Sequence, residues 1–178
     1  RHKLYVLNSD EGSVSIVDMT TNTVINTVEV GGSPNAGYYC RSQGEFYCGG
    51  DYGKVAVIDG IADSLVAKIR AWYYGHAYSV SGSDRRDVVL ASLYGVGSRI
   101  CTIDARTDEV DTVLQVGDGT YAIHLSQQSD RFYCTSAFTD AVEVLSGDGR
   151  QHLMTLPVAD YPYVIAESPV QRRLYVGH

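Results

Sequence analysis

The sequence lacks most of what carries chemistry. Its four cysteines, Cys40, Cys48, Cys101 and Cys134, form no C-x-x-C and no C-x-x-C-H, so neither a zinc ribbon nor covalent haem attachment is indicated. Its five histidines, His2, His76, His124, His152 and His178, include no pair at close metal-ligand spacing. There is no G-x-S-x-G elbow and no phosphate or dinucleotide loop. No catalytic residue, metal or cofactor is therefore assigned. Basic residues are few, 14 Lys and Arg against 21 Asp and Glu, for a net charge of −7. An acidic chain without a basic stripe argues against nucleic acid and anionic membrane surfaces as partners. No apolar run is long enough to span a bilayer, and no window keeps apolar residues at helical spacing.

What is present is a repeat. K-L-Y-V-L-N at Lys3 to Asn8 returns as E-F-Y-C-G-G from Glu45, D-V-V-L-A-S from Asp87, R-F-Y-C-T-S from Arg131 and R-L-Y-V-G-H from Arg173. Its second apolar slot reads Tyr5, Tyr47, Val89, Tyr133 and Tyr175, at steps of 42, 42, 44 and 42. A second run ends at Asp18, Asp59, Asp104 and Ser146, and a third at Val30, Ala71, Val116 and Val158. A fourth opens at Ser33, Tyr74, Gly119 and Tyr161. Each period holds four short runs rich in Val, Ile, Tyr and Thr, separated by turn residues, which is the signal of an all-β meander. Four antiparallel strands per ~40–50 residues make one propeller blade, whose faces are buried by stacking on its neighbours. The repeats run over residues 3–44, 45–86, 87–130 and 131–172, with a fifth begun at 173–178. The fold expected is a β-propeller of four-stranded antiparallel blades, present as a partial arc.

The alternation of these strands predicts a core. Leu4, Val6, Phe46, Cys48, Val88, Leu90, Phe132 and Cys134 are expected between blades, with Val14, Ile16, Val55, Val57, Ile100, Val142 and Val144. Cys48 and Cys134 share the slot that holds Val6 and Val176, so they read as buried thiols acting as small hydrophobes. Two blades apart, they cannot meet the ~4.4–6.8 Å Cα separation of a disulfide. Asp18, Asp59 and Asp104, each ending a strand before a turn, are expected to accept hydrogen bonds from turn N–H groups.

L-Y-V-x-N, V-x-V-I/V-D, T-N-T-V and V-G-x-S-P in succession, closest over Leu4 to Pro34, resemble the YVTN-type β-propeller repeat, with Tyr-Val-Leu-Asn at residues 5–8. The resemblance implies that the strand nearest the axis, strand A, follows the Gly/Pro segment: Asn35 to Cys40, His76 to Ser81, Tyr121 to Ser126 and Tyr163 to Glu167. Strands B, C and D then run outward. It also implies a non-catalytic binding or scaffold module of a secreted, periplasmic or cell-surface protein. The alternative it carries is a propeller subunit of a periplasmic oxidoreductase or a lactonase-like enzyme. The chain opens inside a repeat, so a longer propeller of six to eight blades is expected, completed by further chain or by self-association.

A meander puts the D–A and B–C loops on one face and the A–B and C–D loops on the other. The second face carries charges of mixed sign, a solvated surface. The first carries tyrosines beside carboxylates, which can stack on sugar rings or hold a cationic side chain. A protein or glycan ligand is expected there, in a pocket near His76, Tyr94, Tyr121, Tyr163 and Asp51.

Overall fold

The computed structural model describes residues 2–95 and 97–178. Its strands form five sheets, each a meander in chain order. The first holds β1 (Lys3–Asn8), β2 (Ser13–Asp18) and β3 (Thr23–Glu29). The second holds β4 (Ala36–Cys40), β5 (Glu45–Gly49), β6 (Lys54–Asp59) and β7 (Ser64–Arg70). The third holds β8 (His76–Ser83), β9 (Val88–Tyr94), β10 (Arg99–Asp104) and β11 (Glu109–Gln115). The fourth holds β12 (Ile123–Ser126), β13 (Arg131–Ser136), β14 (Ala141–Ser146) and β15 (His152–Pro157). β16 (Val164–Ser168) and β17 (Arg173–Gly177) form the fifth. Every pairing is antiparallel. β4, β8, β12 and β16 approach one another across successive sheets; they are the inner strands the resemblance implied.

The first three turns between strands C and D are built alike, on an aspartate that ends strand C. Oδ1 of Asp18 accepts from the N–H groups of Thr20 and Thr21 at 2.7 and 3.2 Å. Asp59 does the same for Ile61 and Ala62 at 2.6 and 2.8 Å, and Asp104 for Arg106 at 2.9 Å. Asn22, Asp63, Asp108 and Gly149 then take φ of 56°, 54°, 56° and 69°, a left-handed backbone that only Gly, Asn and Asp adopt readily. A β-bulge follows in all four C–D pairs, at Ile16/Val17, Val57/Ile58, Thr102/Ile103 and Val144/Leu145.

These turns fix the register and correct one alignment. Lys3 pairs with Asp18, Glu45 with Asp59 and Val88 with Asp104. The slot of Tyr5, Tyr47 and Tyr133 is therefore filled in the third blade by Leu90, not Val89. Three consecutive apolar residues at 88–90 leave the strand without an alternation that could set its phase.

Facing follows from register. Phe46, Val89 and Phe132 turn toward the preceding blade, and Tyr47 and Leu90 toward the following one. Buried clusters fill the three spaces between the first four sheets, around Ile16 and Phe46, Tyr47 and Val89, and Leu90 and Phe132. All the expected core residues are buried except two. Leu4 and Val6 are 50% and 40% exposed, because the same rule turns them to the side where no preceding blade stands. All four cysteines are buried and free, and burial pushes the Cys48 and Cys101 thiols up to about 12.

Candidate functional site

The face formed by the D–A and B–C loops carries one connected run of aromatic rings. It starts on β8, where His76 pairs across the ladder with Tyr94 of β9. Gly75 makes that approach possible: its φ is 91°, and a Cβ there would lie 1.9 Å from the Tyr94 carbonyl oxygen. A bulge between Ala77 and Ser79 leaves Tyr78 unpaired, and its ring lies on the same surface as His76 and Tyr94. The Tyr78 ring centroid lies 5.9 Å from His76, 5.1 Å from Tyr94 and 5.5 Å from Tyr121. Tyr121 continues the run to Tyr161 at 6.2 Å and Tyr163 at 6.5 Å, while Phe138 sits 5.9 Å from Tyr94 and 5.7 Å from Tyr161. Such edge-on and tilted spacings are favourable aromatic contacts, so the rings hold one another as a platform.

Polar groups pin the platform at its two ends. Nδ1 of His76 lies 2.6 Å from Oδ1 of Asp51, in the B–C loop of the preceding blade. At the other end, Asp140 accepts from the Tyr161 N–H at 2.9 Å. That bond secures Tyr161 at φ 56°, an unusual backbone for a bulky side chain and a form of strain that gathers at functional sites. The hydroxyls of Tyr121 and Tyr161 are 3.3 Å apart, and this bond, more than burial, pushes the Tyr121 phenol pKa up. The structure thus joins all five residues expected from sequence, His76, Tyr94, Tyr121, Tyr163 and Asp51. The linking residue the sequence reading passed over is Tyr78; its signal was the His76-Ala77-Tyr78 spacing, which puts alternate strand residues on one side.

The expected pocket is elsewhere. Two grooves, of about 620 and 780 Å³, open on the opposite face. One, lined by Lys3, Tyr5, Tyr39 and Arg41, lies beside the inner edge of β1, which no strand of the described chain covers. The other, lined by Tyr133, Leu156, Glu167 and Arg173, lies between the fourth sheet and the two-stranded fifth. Both occur where an end sheet has fewer than four strands. On the aromatic face a crevice of about 10 Å³ lies near Asp51 and Lys54.

His124 stands apart from the platform. Its Nε2 lies 3.0 Å from Glu167 Oε2, and Ser126 Oγ donates to the other carboxylate oxygen at 2.6 Å. Those contacts, the serine's first, hold Glu167 below its ordinary value. The serine proton goes to the carboxylate and not to the imidazole, so the trio is not arranged for nucleophilic attack. His124 is the counterpart of Ser81, each facing the slot of Tyr133 and Leu90. Among the described residues no cluster of three His, Cys, Asp or Glu could hold a metal ion.

No family model and no curated protein sequence matches the chain. Solved structures resemble it. Hydrazine synthase of Kuenenia stuttgartiensis superimposes with a TM-score of 0.81 at 20% identity, over 98% of this chain and 58% of that one. The dihydro-heme d1 dehydrogenase NirN, in complex with DHE, gives 0.73 at 15% identity, over 88% and 35%. This chain spans less than two thirds of the length of either. At these identities the likeness is one of fold, and the fold is a β-propeller of four-stranded antiparallel blades.

Proposed function

We propose that the chain is a non-catalytic binding or scaffold module, and that a protein or glycan ligand docks on the aromatic surface of the D–A and B–C loops. The observation that carries this reading is the unbroken ring run from Tyr78 to Tyr163, left open to solvent with Phe138 and Tyr163 54% and 56% exposed. Surfaces of this kind mark interaction sites, and Tyr is favoured at interfaces because it joins apolar area to a polar tip. Its repeats resemble the YVTN type, and on that ground the module is assigned to a secreted, periplasmic or surface protein. The test is retention on glycan and peptide arrays. Tyr121→Ala and Tyr163→Ala are each expected to weaken retention by about tenfold, as for a ring at the centre of a contact. Unchanged retention by both variants would overturn the reading. The rival, a propeller subunit of an oxidoreductase or a lactonase-like enzyme, requires a bound-cofactor spectrum or metal-dependent turnover from the purified protein.

A further inference from the structure

The platform's two ends differ in what they still have to offer. At the His76 end two guanidinium groups and an imidazole are engaged within the chain. The Arg99 guanidinium lies 4.3 Å over the Trp72 ring and donates to the Gly97 carbonyl at 2.5 Å. The Arg70 guanidinium lies 5.7 Å from the Tyr73 ring, and His76 faces Asp51. This face therefore already satisfies itself with cation–aromatic contacts.

At the Tyr161 end aromatic rings recur without the cation. Tyr121, Phe138, Tyr161 and Tyr163 stand together beside Asp140, which holds the Tyr161 N–H, and Asp160 precedes Tyr161 in the chain, yet among the described residues no guanidinium or ammonium lies over those rings. Among the described residues no ion pair engages either carboxylate. The His178 ring donates to the Asp160 carbonyl at 2.9 Å and leaves its carboxylate alone. The phenols of Tyr121 and Tyr161 are bonded to each other.

Resting on the reading of this face as a binding surface, we infer that its ligand presents a cationic group, the arginine or lysine side chain of a basic protein segment. The cation sits against the rings of Tyr121, Phe138 and Tyr161 and is balanced by Asp140 and Asp160. The net charge of −7 favours the same partner at long range.

Two small probes, N-acetyl-arginine amide and its neutral isostere N-acetyl-citrulline amide, separate charge from shape. With the whole chain in solution, the arginine probe is expected to shift the ring resonances of Tyr121, Phe138 and Tyr161, and the citrulline probe to leave them in place. Asp140→Asn keeps the oxygen that receives the Tyr161 N–H and removes only the charge. That variant and Asp160→Asn should each weaken the arginine probe about two- to fivefold, an effect that fades as salt rises. Tyr121→Ala should weaken it about fivefold. Equal shifts from both probes, or none from the arginine probe, overturn the inference. Binding of a neutral oligosaccharide that Tyr121→Ala abolishes would do the same while leaving the binding-module reading intact. If the arginine probe binds and Tyr121→Ala and Asp140→Asn leave it unchanged, the cation is held elsewhere and the inference also fails.

Discussion

At the scale of single residues, the fold depends on four positions set by backbone conformation. Asn22, Asp63, Asp108 and Gly149 close the C–D turns in the left-handed region, where a side chain branched at Cβ meets its own backbone. Asn22 is exposed, so its replacement isolates that term. Asn22→Gly should leave thermal unfolding within about 1 °C, the gain in backbone fit offsetting the added freedom of the unfolded chain. Asn22→Val should destabilise by about 1–2 kcal/mol, or roughly 2–8 °C in Tm for a chain of this size. An unchanged Tm for the valine variant would show that the turn does not hold its conformation in solution.

At the scale of elements, neighbouring blades are tied at their rims as well as through their cores. Asp130, in the turn between β12 and β13, receives Arg85 at 2.5 Å and also Arg86, both from the turn between β8 and β9. Chiefly through Arg86, its carboxyl is held at about 2, below the ordinary 3.8. A carboxyl whose folded pKa is depressed stabilises the fold above its unfolded value and loses that contribution as pH falls through the folded one. Tm should therefore decline between about pH 4 and pH 2, and Asp130→Asn should lessen the decline. Equal slopes for the two proteins would remove Asp130 from the account. The group is partly exposed, so the effect is small and salt weakens it. A second tie, legible only in three dimensions, is the buried Glu143, which accepts from the Gly117 N–H at 3.1 Å, His152 at 2.7 Å and Thr155 at 2.6 Å. It joins β14 to β15 and to the loop arriving from the third blade.

At the scale of the whole molecule, the arc is uneven. Its three internal seams are closed by buried clusters, whereas Leu4 and Val6 at one end, and Val164 and Tyr175 at the other, stand 40–50% exposed. Apolar faces of that kind invite association. We expect light scattering of this 178-residue chain to report a dimer or larger species, with Leu4→Lys and Val6→Glu together shifting it toward monomer. A monomer at high concentration would show that neither face seeks a partner.

The sequence by itself determined the period, the four-stranded unit, the capping role of Asp18, Asp59 and Asp104, and the alternation that buries Phe46, Cys48, Phe132 and Cys134. Each is a local matter, since turn chemistry and a repeat of two act over a few residues and recur in every copy. Tertiary structure alone decided the rest. It set the third blade's phase through Asp104, because three apolar residues in a row carry no phase. It left Leu4 and Val6 open, because burial needs a neighbour as well as a pattern. It added Tyr78 to the tyrosines the meander had already set on one face and brought their rings into contact, because side chains from separate loops meet only once the blades are stacked. It also placed the two grooves on the far face, where the end sheets have fewer than four strands, a property of the assembled arc that no single repeat contains.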